Sequence, residues 1–288
     1  MPTHVDRDLL VRLLREQFGA VAELGASLDD DAWASPTCLP GWTVKDSVSH
    51  MVGTEAMLLG ERAPEIDVSH LDHVRNDIGR SNELWVESMR PRSGAEVLDR
   101  FHDVTERRLE ALDAMTQADF DAPSWTPAGP DETYGRFMRI RHYDCFMHEH
   151  DIRGALGRPD RDEPEHVRSA VSEPAGALGY IVGKRAKLPP GTTTRIHVTG
   201  ALDATWLIAV AERAAVVEHL DGEPTVDVEL PVMRFLRQTG GRDDEPGGRD
   251  DRADAGPGGR DGMQHSDVVL GGDVALATQL VTHFAFTI

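Results

Sequence analysis

The chain has 288 residues, 40% of them hydrophobic, enough for two ordinary domains with a core in each. Its 50 acidic against 30 basic side chains leave a formal net charge of -20, which repels a phosphate backbone and excludes nucleic acid as an expected partner. No apolar run approaches the ~20 residues of a bilayer-spanning helix, and the first residues, MPTHVDRDLL, lack the apolar stretch of a signal peptide, so a cytoplasmic protein is expected.

In chain order, Leu9 to Leu28 carries apolar residues at helical spacing until the run DDDAWASPTCLPGW breaks it. A second helix is expected from Thr43, an N-cap after the Pro40-Gly41 turn with Asp46 three residues on, to about Gly60. A third covers roughly Leu71 to Met89. A fourth begins at Ser93, where Ser93 and Glu96 form a capping box ahead of Val97, Leu98 and Phe101. Tyr134 to Leu156 is the last long helix of this half, followed by a helical stretch around Val167 to Arg185.

The pattern then changes. RIHVTG, TWLIAVA, AAVVEHL and TVDVEL are short β-rich runs bounded by turn formers, Val232 to Gln238 reads as a short helix, DVVLGG as a last strand and Val274 to Phe286 as a closing helix. Between the last two helical runs, at about 240–262, lies a Gly/Arg/Asp-rich segment with almost no apolar residue, expected to be a disordered insertion because it has nothing to bury against its ordering entropy. The expected domains are 1–160, helical, and 161–288, α+β.

The most informative stretch is RHYDCFMHEHDIRGALG. At about 100° per residue, Phe137, Arg141, Asp144, His148, Asp151, Ile152 and Ala155 share one stripe, whereas Arg139, His150 and Arg153 fall on the opposite side. A stripe with four ionisable groups, set apart from the helix's other charges, is expected to face inward, where buried charges need partners or a metal. Asp144 and His148, four residues apart, can point at one cation, and His50 on the Thr43 helix, with small neighbours Ser47, Gly53 and Thr54, is the best third ligand. His142 and His150 lie outside the stripe. By spacing alone the same residues also fit a surface ion pair or a satisfied core histidine. Glu55 falls on the apolar ridge of its helix and reads as a snorkelling edge residue or a buried acid. Cys145 reads as packing material and Cys38 as a small buried hydrophobe, both free thiols. Trp206 and Phe235 read as core of the second half rather than as pocket walls.

The run Pro40-Gly41-Trp42-Thr43-Val44-Lys45-Asp46 with His50, then Asp144, His148, Asp151-Ile152-Arg153 and Leu156-Gly157-Arg158-Pro159, resembles the mycothiol-dependent maleylpyruvate isomerase family across nearly the whole chain. Gly241-Arg242 and Gly271-Gly272-Asp273 resemble pieces of that family's C-terminal domain. The resemblance implies a DinB-like four-helix metal-binding bundle followed by a smaller α+β domain similar to sterol carrier proteins. It implies a divalent ion, usually zinc, held by His50, Asp144 and His148, with mycothiol as the thiol that the metal activates toward a small electrophilic substrate. The family's acid is Glu where this chain has Asp144, whose side chain reaches roughly 1.5 Å less far. Arg242, with Arg237 as its alternative, would match the family's substrate arginine, and Arg141 on the stripe is a second candidate to neutralise a carboxylate, though an ion pair with Asp144 or Asp151 fits it better. An isomerase or S-transferase is thus expected. A metal-dependent hydrolase and a non-catalytic ligand-binding protein are the alternatives.

Overall fold

The computed structural model describes residues 3–242 and 267–287. Most of the insertion expected at about 240–262 lies outside these residues. Two compact units divide at Arg161 and Asp162, and the chain is α plus α+β, as the pattern of elements predicts.

The first unit runs α1 (Arg7–Ala26), α2 (Asp30–Trp33), α3 (Val44–Leu58), α4 (Asp77–Met89), α5 (Gly94–Asp113), α6 (Gln117–Phe120), β1 (Pro123–Thr126), β2 (Gly129–Thr133) and α7 (Tyr134–Ala155). Four long helices close a ring: α1 packs on α5 and α7, and α3 packs on the same two, with α4 added against α3. Their apolar stripes meet in one core that includes Leu14, Phe18, Val48, Val52, Phe101, Val104 and Ile152. The expected Ser93–Glu96 capping box is formed, and the expected N-cap Thr43 forms a second box with Asp46. The third helix starts six residues later than its periodicity predicts, because Asn76 accepts from the Gly79 amide and caps it there. The hairpin β1–β2 is absent from the sequence reading, since three prolines interrupt its segment and demote it as a strand.

The second unit begins with α8 (Pro164–Gly176), α9 (Leu178–Tyr180) and a π-helical turn over Ile181–Arg185. The strands β3 (Thr193–Thr199), β4 (Ala204–Val210), β5 (Ala214–Val217), β6 (Val226–Pro231) and β7 (Val269–Gly272) form a sheet in the order β5-β4-β3-β6-β7, with β3 and β6 parallel and the other pairs antiparallel. Helices α10 (Val232–Thr239) and α11 (Val274–Thr282) pack on it; α11 ends four residues short of Phe286. Alternation sorts the faces. Thr194, Ile196, Val198, Val226, Val228 and Leu230 are buried, while Arg195 and His197 stand outward opposite Asp227 and Glu229. Phe235 and Phe284 meet edge-on and are core, and the half-buried Trp206 stacks on Phe235.

Candidate metal centre

The loop before α3 fixes the first ligand. Gly41 adopts φ +75°, a region costly for any residue with a Cβ, and turns the chain so that Trp42 folds back over the bundle. Thr43 and Asp46 exchange hydrogen bonds, and Arg90 grips Asp46 at 3.0 Å, anchoring the start of α3. Two turns on, His50 points inward, only 4% exposed. On α7, capped by Thr133, the one-turn spacing puts Asp144 and His148 on the side that faces His50.

The three side chains meet. One ligand atom from each of His50, Asp144 and His148 lies within 4.8 Å of the others. Nε2 of His50 is 3.1 Å from Oδ2 of Asp144, and Nε2 of His148 is 3.6 Å from Oδ1 of the same carboxylate. The shorter Asp therefore reaches both imidazoles. Nδ1 of His148 is 3.2 Å from Oδ2 of Asp151, which is buried. An ionised carboxylate only accepts, so Nδ1 carries the proton. Nε2 then faces a carboxylate oxygen and needs a second proton or a cation between them. A carboxylate that accepts from the far ring nitrogen in this way orients metal-bound histidines generally. The residues present thus fit a divalent ion. Nδ1 of His50 is buried without a hydrogen-bond partner among the described residues, and burial outweighs Asp144 to lower the pKa of that ring, which favours its neutral, ligand-competent form. For His148, burial is outweighed by Asp144 and Asp151, and the pKa is raised; Asp144, with burial opposing, is held well below the usual carboxylate range by Arg141 and both histidines.

Behind the cluster stands a buried ionic group. Glu55 accepts from Arg108 at 3.1 Å and from Arg141 at 3.0 Å, and Arg141 donates to Asp144 at 2.6 Å. Glu55 is therefore not the edge residue that its position on α3 suggests: at 2% exposure it is held between two guanidinium groups. Arg141 makes the expected pair with Asp144. Two further expectations are corrected. His150 is buried, its ring nitrogens meeting the Phe146 and Arg161 carbonyl oxygens, so the face of α7 opposite the stripe is buried there too. Cys38 is half-buried rather than a core hydrophobe, and its thiol donates to Asp151 at 3.3 Å. Cys145 is core, and burial pushes its thiol up, out of the range of a nucleophile. Arg242 belongs to the second unit, where it donates to the Gly240 carbonyl.

Sequence reasoning assigned no role to Trp42. Its ring lies 5.3 Å from that of His50 and 5.7 Å from that of His148, and its indole N–H donates to Glu83, which also meets His73. The Pro40-Gly41-Trp42 motif was the available signal, but only the folded chain shows what the indole covers. Beside His50 and Asp144 opens a cleft of ≈ 370 Å³ between α3, α4, the hairpin and α7. Gly53 makes its inner wall: a Cβ there would sit 2.4 Å from Trp85, so glycine lets that indole lie against the α3 backbone.

Comparison with known proteins adds three findings. Residues 14–153 match the family described as the mycothiol maleylpyruvate isomerase N-terminal domain. An uncharacterized protein of Mycobacterium tuberculosis, present in strains H37Rv and CDC 1551, is 25% identical over 195 residues, 67% of this chain and 74% of the relative. Crystal structures of the mycothiol-dependent maleylpyruvate isomerase and of a histidine-to-alanine mutant of it superpose with TM-scores of 0.55 and 0.51. Each is 13% identical and covers 85% of this chain, and 94% and 93% of the respective structures, a likeness of fold.

Proposed function

We propose, from the match of residues 14–153 to the mycothiol maleylpyruvate isomerase N-terminal domain family, that the chain is a metal-dependent, mycothiol-dependent isomerase or S-transferase acting in the cytoplasm on a small electrophile. In this reading the first unit is the DinB-like metal domain and the second a sterol-carrier-like domain. The observation that carries it is the Asp151–His148–Asp144–His50 arrangement, in which a carboxylate fixes one imidazole proton and turns the other nitrogen toward a shared cation position.

His50, Asp144 and His148 would hold the ion, and two imidazoles with one carboxylate suit zinc. A divalent ion bound there supplies the Lewis acidity that makes a coordinated thiol a thiolate at neutral pH. Asp151 keeps the His148 tautomer that ligation needs. Arg141 holds Asp144 ionised and in place, with Glu55 fixing Arg141 in turn. The Trp42 indole covers both imidazoles and excludes water from their faces.

The test is a metal assay on the full chain purified without chelator, followed by a thiol titration. One ion per chain is expected, lost in His148→Ala, and cobalt-substituted protein should change its visible spectrum when mycothiol is added. Bound metal with no thiol response would point instead to metal-dependent hydrolysis, and no bound metal to a ligand-binding protein without this chemistry.

A further inference from the structure

The cleft beside the metal cluster has walls whose chemistry says more than its volume. At ≈ 370 Å³ it falls within the range of about 300–1,000 Å³ typical of small-molecule sites. Its exposed wall is mainly apolar, with Trp85 and Ile78 from α4, Trp125 from the hairpin, Phe137 and Ile140 from α7 and Met57 from α3, while Thr54, Ser81 and Asn82 add uncharged hydrogen-bonding groups. Trp125 is 59% exposed, although it packs edge-on against Phe137 at 6.4 Å, and Ile78 and Met57 are exposed as well. Large apolar side chains left open beside a polar cluster are the mark of a ligand surface.

The charges lining the cleft point the same way. Arg141 is the one lining guanidinium among the described residues, and it is committed: one nitrogen to Asp144 at 2.6 Å, the Nε edge to Glu55 at 3.0 Å, and Nη2 to the Cys145 sulfur at 3.4 Å. Redirecting it to a substrate carboxylate would leave the buried Glu55 short of its counter-charge and take the nearest cation from Asp144. The other ionisable lining groups are His50 and Asp144, both of the cluster, and Asp77, an anion. With Arg108 and Arg141 matched by Glu55 and Asp144, a divalent charge at the cluster would be offset by a thiolate and by Asp151 behind His148. A dicarboxylate would therefore find no spare positive charge in the cleft and one repelling aspartate.

We infer that the cleft takes an uncharged electrophile with a flat, apolar body, laid between Trp85, Trp125 and Phe137 with its reactive carbon toward His50 and Asp144, and not a small dianion. This rests on the thiol-transfer reading for the word electrophile, whereas the occupant's polarity follows from the walls alone.

The experiment is a fluorescence titration of the full chain, as purified and after chelator treatment, with the uncharged planar probe N-phenyl-1-naphthylamine. Saturable binding is expected in both forms. It should weaken about tenfold in Trp125→Ala, the loss of one aromatic wall, and return close to the parent in Trp125→Phe. Because Trp125 is exposed, these variants leave the core intact. Excess maleate should not displace the probe. Displacement by maleate or by mycothiol from the chelator-treated protein, or unchanged binding in Trp125→Ala, would overturn the inference. Since this readout needs neither metal nor thiol, a failed cobalt and mycothiol test with intact probe binding would sink the catalytic reading alone.

Discussion

The helical unit and the sheet of the second unit use the same residue types, Arg, His, Asp and Glu, to opposite ends. On β3 and β6 the pairs Arg195–Asp227 and His197–Glu229 sit in register across parallel strands on an exposed face, where water screens them and each ion pair is satisfied by its neighbour. On α3 and α7 the corresponding groups are withdrawn from water, and their arrangement is held by a chain of contacts from Arg108 through Glu55 and Arg141 to Asp144 and the two histidines. The difference teaches that composition does not distinguish chemistry from surface decoration; burial and convergence do. In the helical unit one half-buried carboxylate faces two buried imidazoles, and the arrangement has no good solution without a proton or a cation. On the sheet each group is already at rest.

Four perturbations break or sharpen that contrast, in falling order of effect. Glu55→Ala should destabilise the helical unit by about 3–5 kcal/mol in urea unfolding, because it strands Arg108 and Arg141 in the interior; Glu55→Gln should cost less and keep the protein folded. Asp151→Asn should weaken metal binding by about 10–100-fold in a chelator competition while hardly moving the unfolding midpoint, since it replaces the charged, acceptor-only carboxylate that fixes the His148 tautomer with a neutral amide that can also donate. A double-mutant cycle on Arg195 and Asp227, also read by urea unfolding, should return a coupling of less than about 1 kcal/mol, as an exposed pair does. Smallest of all, the His197 imidazole should titrate above its ordinary 6.5 by NMR, raised by the hydrogen bond to Glu229 and then by Asp203, and fall back in Glu229→Gln. The sign follows from linkage: a raised folded pKa contributes stability that is complete below about 6.5 and lost as pH rises through the folded value.

Much of the frame is legible because it is local. The Thr43 and Ser93 capping boxes, the helix over Tyr134–Ala155 and the alternation of β3 and β6 follow from residues within a turn or two of one another. The expected start at Leu71 fails for an equally local reason, the Asn76 cap, which competes with an apolar spacing that continues past it. The hairpin stays hidden because its prolines read as turn, and its pairing to the rest of the bundle is decided by packing. Among the site residues, the inward stripe of Arg141, Asp144, His148 and Asp151 is readable as a stripe. The opposite expectation for His150 is wrong because periodicity shows which residues share a face, and only the neighbours of a helix show how many of its faces are covered.

By itself the amino-acid sequence determined the long helices, the strands of the second unit, the Thr43 and Ser93 caps and the face on which Asp144 and His148 fall, since each depends on backbone hydrogen bonding and side-chain period over a few residues. Only the tertiary structure decided that His50 meets a carboxylate 94 positions away, that Trp42 covers both imidazoles, and that Arg141 is already committed to Glu55. Those facts arise from helices packing side by side, where residues remote in the chain share one desolvated space and must answer one another's charge.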